Sequence, residues 1–217
     1  MLLLAFDTAT PAVTVALHDG AHALAEVASA DARRHGELLA SAIDKVLADA
    51  GLTRLDVTAV AVGTGPGPYT GLRAGLVTAR VLGSALGIPV YGACTLDVIA
   101  LDAVPEAAGR DFVVATDARR RELYWARYSA AGERLAGPTV SAPGEIGPGG
   151  PVAGVGAGLY PSLLGEPIGP EYPAARTLAR LVAQRLAAGV PMPAAEPLYL
   201  RRPDARVPGP PKRVTPS

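Results

Sequence analysis

Lysine is nearly absent from this chain. Lys45 and Lys212 are the only two, so arginine carries almost all the positive charge in a background rich in alanine, glycine and proline. Acidic and basic residues balance to a formal net charge of zero. That excludes a global field drawing in nucleic acid or an anionic membrane. Cys94 stands alone, which rules out an internal disulfide and suits a reducing compartment. The short apolar start lacks a basic flank and is interrupted by Asp7, so no signal peptide is expected. The longest apolar stretch, Ala74 to Ala93, is broken by Arg80 and Pro89 and is unsuited to spanning a membrane. The expected location is the cytoplasm, with no membrane partner.

What is present is enough for a core. The 217 residues, 49% hydrophobic and 18% charged, fit a soluble globular protein of one domain or two small ones. The chain is organised around Ala59 to Arg73, where an apolar β-rich run reaches Gly65-Pro66-Gly67-Pro68 and a long apolar helix follows. Strand, glycine loop and helix can cradle a phosphate through free N–H groups and the helix dipole. Here Pro66 and Pro68 supply no N–H. No Gly-Lys-Ser/Thr follows, and the G-x-G-x-x-G spacing fails at Pro68. The loop is expected to shape the backbone rather than hold a nucleotide.

Along the chain, Leu2 to Phe6 and Val13 to Leu17 read as strands. Asp19-Gly20 predicts a two-residue hairpin leading to a third strand through Val27. In such a hairpin His18 faces Ala21 and His22 faces Leu17, so the two imidazoles point apart and no metal site is expected there. Arg33 and Arg34 precede a helix from Glu37 to Ala50, apolar at Leu38, Leu39, Ala42, Ile43, Val46 and Leu47, which Gly51 ends. The helix Leu72 to Leu86 is apolar nearly all round, as expected of one buried on two sides. Gly75, Ala79 and Gly83 form a ridge of small side chains, expected to let a partner helix approach closely. Thr95 is expected to cap a helix running to about Leu101.

Phe112 to Ala118 then mirrors Leu2 to Thr8: an apolar strand ending in Asp, then a turn and a return strand. The return here is the alternating Glu122 to Tyr128. Two such openings suggest a duplicated α/β unit. Gly and Pro are dense from Gly137 to Pro173, which predicts a second half with short elements. Pro173 to Ala188 offers one more helix, with Leu178, Leu181, Val182 and Leu186 as its apolar face. Beyond Gly189 the chain is Pro-rich, with Arg201, Arg202, Arg206, Lys212 and Arg213 expected on a solvated basic tail.

Taken together, several blocks resemble the TsaB (YeaZ) family, the accessory subunit of the bacterial machinery that makes threonylcarbamoyladenosine in tRNA. They are Phe6-Asp7-Thr8-Ala9-Thr10, His35-Gly36-Glu37-Leu38-Leu39, the stretch from Gly65 to Gly75, Asp117-Ala118-Arg119-Arg120, and Glu196 to Arg201. Pro68-Tyr69 stands where the family usually has Ser-Phe, and Gly36 where it usually has Ser.

The resemblance implies an α/β fold of the actin/Hsp70-like (ASKHA) type, with duplicated ribonuclease H-like units and the second reduced. Residues 1–105 would form the first unit, 106–190 the second, and 191–217 the tail. It also implies a scaffold that binds a TsaD-like catalytic paralogue, with a TsaE-like ATPase joining. A homodimer would form when the chain is alone, and tRNA would be met indirectly through the complex. The implied partner surface lies on the helices flanking the Gly/Pro loop. Leu38, Leu39, Ile43, Leu72, Gly75, Leu76, Ala79 and Gly83 are its candidates.

No catalytic, cofactor or metal residue is assigned to this chain, although a nucleotide could sit at the interface of the complex. The two metal-binding histidines of the paralogous enzyme fall on Thr95 and Ile99, and Ile cannot ligate a metal. Two rival readings remain. One is an actin-like ATPase or kinase using the strand-end carboxylates Asp7 and Asp117. The other is a metallopeptidase-like enzyme, disfavoured without the histidine pair.

Overall fold

The computed structural model describes residues 1–30, 35–147 and 149–201. Arg33, Arg34, Arg202, Arg206, Lys212 and Arg213 lie outside the described residues. The chain opens with an antiparallel meander of β1 (Leu3–Asp7), β2 (Val13–His18) and β3 (Ala23–Ser29). Helix α1 (His35–Asp49) leads to β4 (Ala59–Gly63), then α2 (Tyr69–Leu86), β5 (Val90–Ala93) and α3 (Thr95–Ala107). These strands make one sheet in the order β3-β2-β1-β4-β5, with β4 and β5 parallel to β1. Every residue of β1, β2 and β4 is buried, because helices cover both faces.

The second half repeats this plan. Strands β6 (Phe112–Asp117), β7 (Leu123–Tyr128) and β8 (Arg134–Ser141) form the meander. The short helices α4 (Pro143–Ile146) and α5 (Val155–Leu159) accompany β9 (Pro151–Ala153) and β10 (Glu166–Pro167). The sheet order, β8-β7-β6-β9-β10, is the first sheet's order strand for strand, including the switch from antiparallel to parallel pairing. Gly and Pro shorten the later elements of this half, as the sequence anticipates. The last helix, α6, spans Ala175–Ala187.

The division at residue 105 does not partition the packing. Helix α3 runs to Ala107 and buries Leu96, Ile99, Ala103 and Ala107 against Phe112, Val114, Ala126 and Tyr128 of the second sheet. Conversely, Leu178, Ala179 and Val182 of α6 pack on Leu3, Ala5, Ala59 and Ala61 of the first sheet. Each half's sheet is therefore covered on one face by a helix from the other half's stretch of sequence.

Three local expectations are corrected. The β2–β3 connection is a loop of Asp19 to His22, and His18 pairs with Ala23 rather than facing Ala21. The Asp19 carboxylate accepts hydrogen bonds from the N–H groups of Ala21 and His22, both at 2.7 Å, and this Asx turn widens the hairpin. Thr95 does not cap α3: it is the first helical residue, and its hydroxyl is used elsewhere.

The third correction concerns α2. Its small-residue ridge faces the chain's own sheet. A Cβ on Gly75 would lie 2.5 Å from Thr8 Oγ1, one on Gly83 would collide with Val90, and Ala79 is fully buried. Leu72 and Leu76 lie on that inner face, and Leu39 and Ile43 of α1 are buried in the same core, while Leu38 is half-buried. One helix face cannot both sit on the sheet and meet another molecule. The outward face of α2 instead carries Val77 and Val81, 57% and 60% exposed.

Candidate functional site

The first apolar strand delivers Asp7 to the end of β1, beside the loop that follows β4. Its carboxylate is fully buried. Oδ1 accepts from the Ala9 N–H at 2.7 Å, closing the turn after β1, and Oδ2 accepts from the Thr95 hydroxyl at 2.6 Å. Burial pushes the Asp7 acid above its ordinary value, and the bonds from Thr95 and Ala9 pull it partly back. Gly63 is required here, because a Cβ would run into the Asp7 carboxylate.

The Gly/Pro loop is spent on the protein itself. Gly65, with a φ of +85°, donates its N–H to Thr95 Oγ1 at 3.2 Å, and its carbonyl accepts the Thr95 N–H at 2.8 Å. Thr64 donates both its N–H and its hydroxyl to the Ala93 carbonyl. Gly67 lies so close to the Ala9 carbonyl that no side chain fits. Thr8 reaches across to the Gly71 carbonyl at 2.8 Å, fixing the first turn of α2. The N–H groups of Thr64 and Gly65 thus point into the protein, and the loop works as a buckle between β1, α2 and α3.

A further layer closes over it. The segment 192–201 returns across the loop: Leu198 N–H donates to Thr64 O at 2.8 Å, and Gly92 N–H to Pro193 O at 3.0 Å. Arg80 donates to Ala195 O at 2.8 Å. Arg201 donates to Ala118 O at 3.1 Å and pairs with Glu122. Arg201 is thus bound to the β6–β7 turn rather than lying on a solvated tail. Sequence reasoning missed this strap, since its only signal was the Glu196 to Arg201 block.

Asp117 occupies the equivalent end of β6 but in a different setting. It is partly exposed, accepts from Arg119 N–H at 2.7 Å, and pairs with the Arg119 guanidinium at 3.2 Å. Arg119, Arg120 and Arg121 all have positive φ, at 62°, 56° and 62°. The structure therefore joins Asp7 with Thr95 and leaves Asp117 with its own turn. Thr95 and Ile99 are both fully buried, Ile99 in the apolar cluster with Phe112. His18 is buried, its Nδ1 accepting from Gly20 N–H at 3.0 Å, and burial holds it below its usual value. His22 is exposed. Among the described residues no group of three or more His, Cys, Asp or Glu side chains could hold a metal ion. Also among them, no helix is long and apolar enough to cross a membrane.

On the face of the first sheet away from α6, α1 and α2 leave a groove of about 270 Å³ between them, lined by Ala40, Ile43, Asp44, Arg54, Val77, Thr78, Val81 and Leu82. Arg54 is pinned to Asp44 at 2.6 Å on its rim.

Two five-stranded units of one topology, their helices exchanged, define an actin/Hsp70-like protein. Over residues 23–157 the chain matches the family described as TsaD, tRNA N6-adenosine threonylcarbamoyltransferase. It is 48% identical over 208 residues to an uncharacterized protein of Mycobacterium tuberculosis (strain ATCC 25618 / H37Rv), covering 94% of this chain and 93% of that one. The tRNA threonylcarbamoyladenosine biosynthesis protein TsaB of Escherichia coli (strain K12) is 36% identical over 130 residues, 59% of this chain and 55% of that one. YeaZ from Pseudomonas aeruginosa superposes with a TM-score of 0.75 at 28% identity, covering 91% of this chain and all of that one. The chain belongs to the TsaB (YeaZ) family.

Proposed function

We propose that this chain is a non-catalytic scaffold in the formation of threonylcarbamoyladenosine in tRNA, docking a TsaD-type transferase through the outward faces of α1 and α2. Its relatives named TsaB carry that biosynthesis in their names. The observation that carries the scaffold reading is the state of Asp7. An actin-like ATPase needs its strand-end acid open to a nucleotide's metal and phosphates. Here both oxygens accept hydrogen bonds from within the chain, and Gly63 and Thr95 press against them. The acid serves as a structural tie.

The docking face follows from the exposed side of the two helices. Val77 and Val81 stand beside the groove, and Leu55 nearby in sequence to Arg54 is 85% exposed. Apolar residues gathered around a groove mark an interaction surface more often than scattered ones do. In this reading Leu39, Ile43, Leu72, Gly75, Leu76, Ala79 and Gly83 hold the helices in place, while Leu38, Val77, Val81 and Leu82 make contact. A second copy of the chain occupies the face when the transferase is absent.

The test is to supply the chain to cells depleted of their own TsaB-type protein and assay the modified nucleoside in tRNA. Wild type restores it together with its own transferase, and Val77→Arg/Val81→Glu does not, although that variant stays folded. Restoration by the variant would remove the docking face. Turnover of ATP by the isolated chain, lost on Asp7→Asn, would replace the scaffold by an enzyme.

A further inference from the structure

The sheet face that packs on α6 is not covered to its end. Helix α6 begins at Ala175, and at its start a pocket of about 440 Å³ opens between β2, β3 and the segment 172–174. Its floor is Ala12 and Thr14 in line with β2, and Glu26, Ala28 and Ala30 in line with β3, alternate residues of one sheet face. Strands favour β-branched and aromatic side chains, which would fill this space; three alanines leave it open. Tyr172 and Pro173 wall it from the second half of the chain. Both halves therefore line it, and its volume is within the range of small-molecule sites, which are often built at such junctions.

Two features of the lining bear on what it takes. Thr14 is 3% exposed, yet its Oγ1 has no hydrogen-bond partner among the described residues. Its neighbours in the sheet register are Asp7 and Ala28, and the Asp7 oxygens are engaged by Ala9 and Thr95. A buried hydroxyl left unmatched is costly, so this one is suited to a group that enters from the pocket. The charges, by contrast, are already matched. The Arg176 guanidinium donates to Glu26 Oε2 at 2.7 Å, and the Arg176 N–H reaches Oε1 at 3.4 Å. One carboxylate thus answers both the guanidinium and the positive end of α6.

We propose that this pocket binds a small neutral polyol of pentose or hexose size, hydrogen-bonded by the Thr14 hydroxyl and the Glu26–Arg176 pair. Thr14, Ser29 and Tyr172 each bring a hydroxyl to the lining. A hydroxyl both donates and accepts, and so does an alcohol, whereas an ionised phosphate or carboxylate only accepts. A charged ligand would also face the like member of an ion pair, with no spare counter-charge in the lining. Glu26 accepts and Arg176 donates, so adjacent hydroxyls of one ring can meet both. The alanines supply apolar surface for its C–H groups. The site is on the sheet face away from the groove of α1 and α2 and does not depend on the docking reading.

The unmatched hydroxyl supplies the test. Amide chemical shifts of the isotope-labelled full chain are followed while glycerol, D-ribose, D-glucose and myo-inositol are titrated separately to millimolar concentration. At least one should move the amides around Thr14, Ser29 and Ala175 and saturate. Thr14→Val keeps the shape and removes the hydroxyl, so it should weaken that polyol roughly 2- to 10-fold, the loss of one neutral hydrogen bond. Its melting temperature should match or exceed that of wild type, because no bond within the fold is lost. Ala28→Leu, at an exposed position, should fill the pocket and abolish the shifts. No response to any of the four polyols overturns the proposal, as does an unchanged response in both variants. Inorganic phosphate binding here while the polyols stay silent makes this an anion site and overturns it too. A clearly lower melting temperature for Thr14→Val would show that the hydroxyl is bonded inside the fold, which removes the premise.

Discussion

The hydroxyl of Thr95 donates to Asp7 Oδ2 at 2.6 Å across a sequence separation of 88 residues, inside a pocket closed to solvent. The same oxygen of Thr95 accepts the Gly65 N–H, so one side chain ties the end of β1, the Gly/Pro loop and the start of α3. Thr95→Ala leaves a buried carboxylate oxygen and a buried N–H without partners. Stability should fall by about 1–3 kcal/mol, read from urea unfolding. Thr95→Ser should recover most of the loss, because it keeps the hydroxyl.

Asp7 also gives a pH signature. Its folded acid lies above the ordinary value of 3.8, so the native state holds the proton more tightly than the unfolded chain. Stability contributed by the protonated acid is complete below the unfolded value and is lost as pH rises through the folded one. The stability of wild type relative to Asp7→Asn should therefore decline from about pH 4 upward and then level off. Parallel urea midpoints for the two proteins across that range would show that Asp7 does not carry the effect.

Gly75 and Gly83 should be intolerant of size for a reason internal to the fold. Gly75→Leu drives a side chain into Thr8 and Val62 and lifts α2 from its own sheet. Overpacking of this kind costs about 1–3 kcal/mol, more where the backbone cannot yield. Calorimetry should record a lower melting temperature even in a monomer. A variant as stable as wild type would mean that the ridge has room after all.

The outward face should behave in the opposite way. Val77→Arg/Val81→Glu alters only exposed positions, where substitutions usually change stability by less than about 0.5 kcal/mol. Light scattering and pull-down with the transferase should nevertheless show loss of association. Unchanged association would place the partner elsewhere.

Cys94 provides a probe of opening. It is buried and its thiol is pushed up to about 12, chiefly by burial, so the nucleophilic thiolate is scarce in the folded protein. Labelling by a thiol reagent should be slow in native buffer and become complete on unfolding in urea. Fast labelling of the native protein would show that α3 opens locally at its first turn.

Much of the fold was legible because its signals are local. The apolar runs of β1, β4 and β6 and the helical spacing of α1, α2 and α6 follow from which residues recur at which interval. The likeness of Leu2–Thr8 to Phe112–Ala118 announced two units, and the strand orders bear it out. What periodicity conveys is that a face is crowded, not what crowds it. The Gly75, Ala79 and Gly83 ridge read equally well as a partner surface until Thr8 and Val90 were found against it. The bond from Thr95 to Asp7, the exchange of α3 and α6, and the strap pinned by Arg201 join residues far apart in sequence, and no short-range pattern encodes such pairings. At the hairpin the local rule lost to a side chain: Asp19-Gly20 favours a two-residue turn, but the Asp19 carboxylate captured two backbone N–H groups and opened it.

The exchanged helices have a consequence for how the molecule can be taken apart. A fragment ending near residue 105 keeps all five strands of its sheet yet loses Leu178, Ala179 and Val182 of α6 from the cluster they form with Leu3, Ala5, Ala59 and Ala61. The complementary fragment loses α3 and bares Phe112, Val114 and Tyr128. Neither piece is self-sufficient, so the two lobes are obliged to melt together in one cooperative step. A nick between them would yield two halves that remain clasped until both unfold.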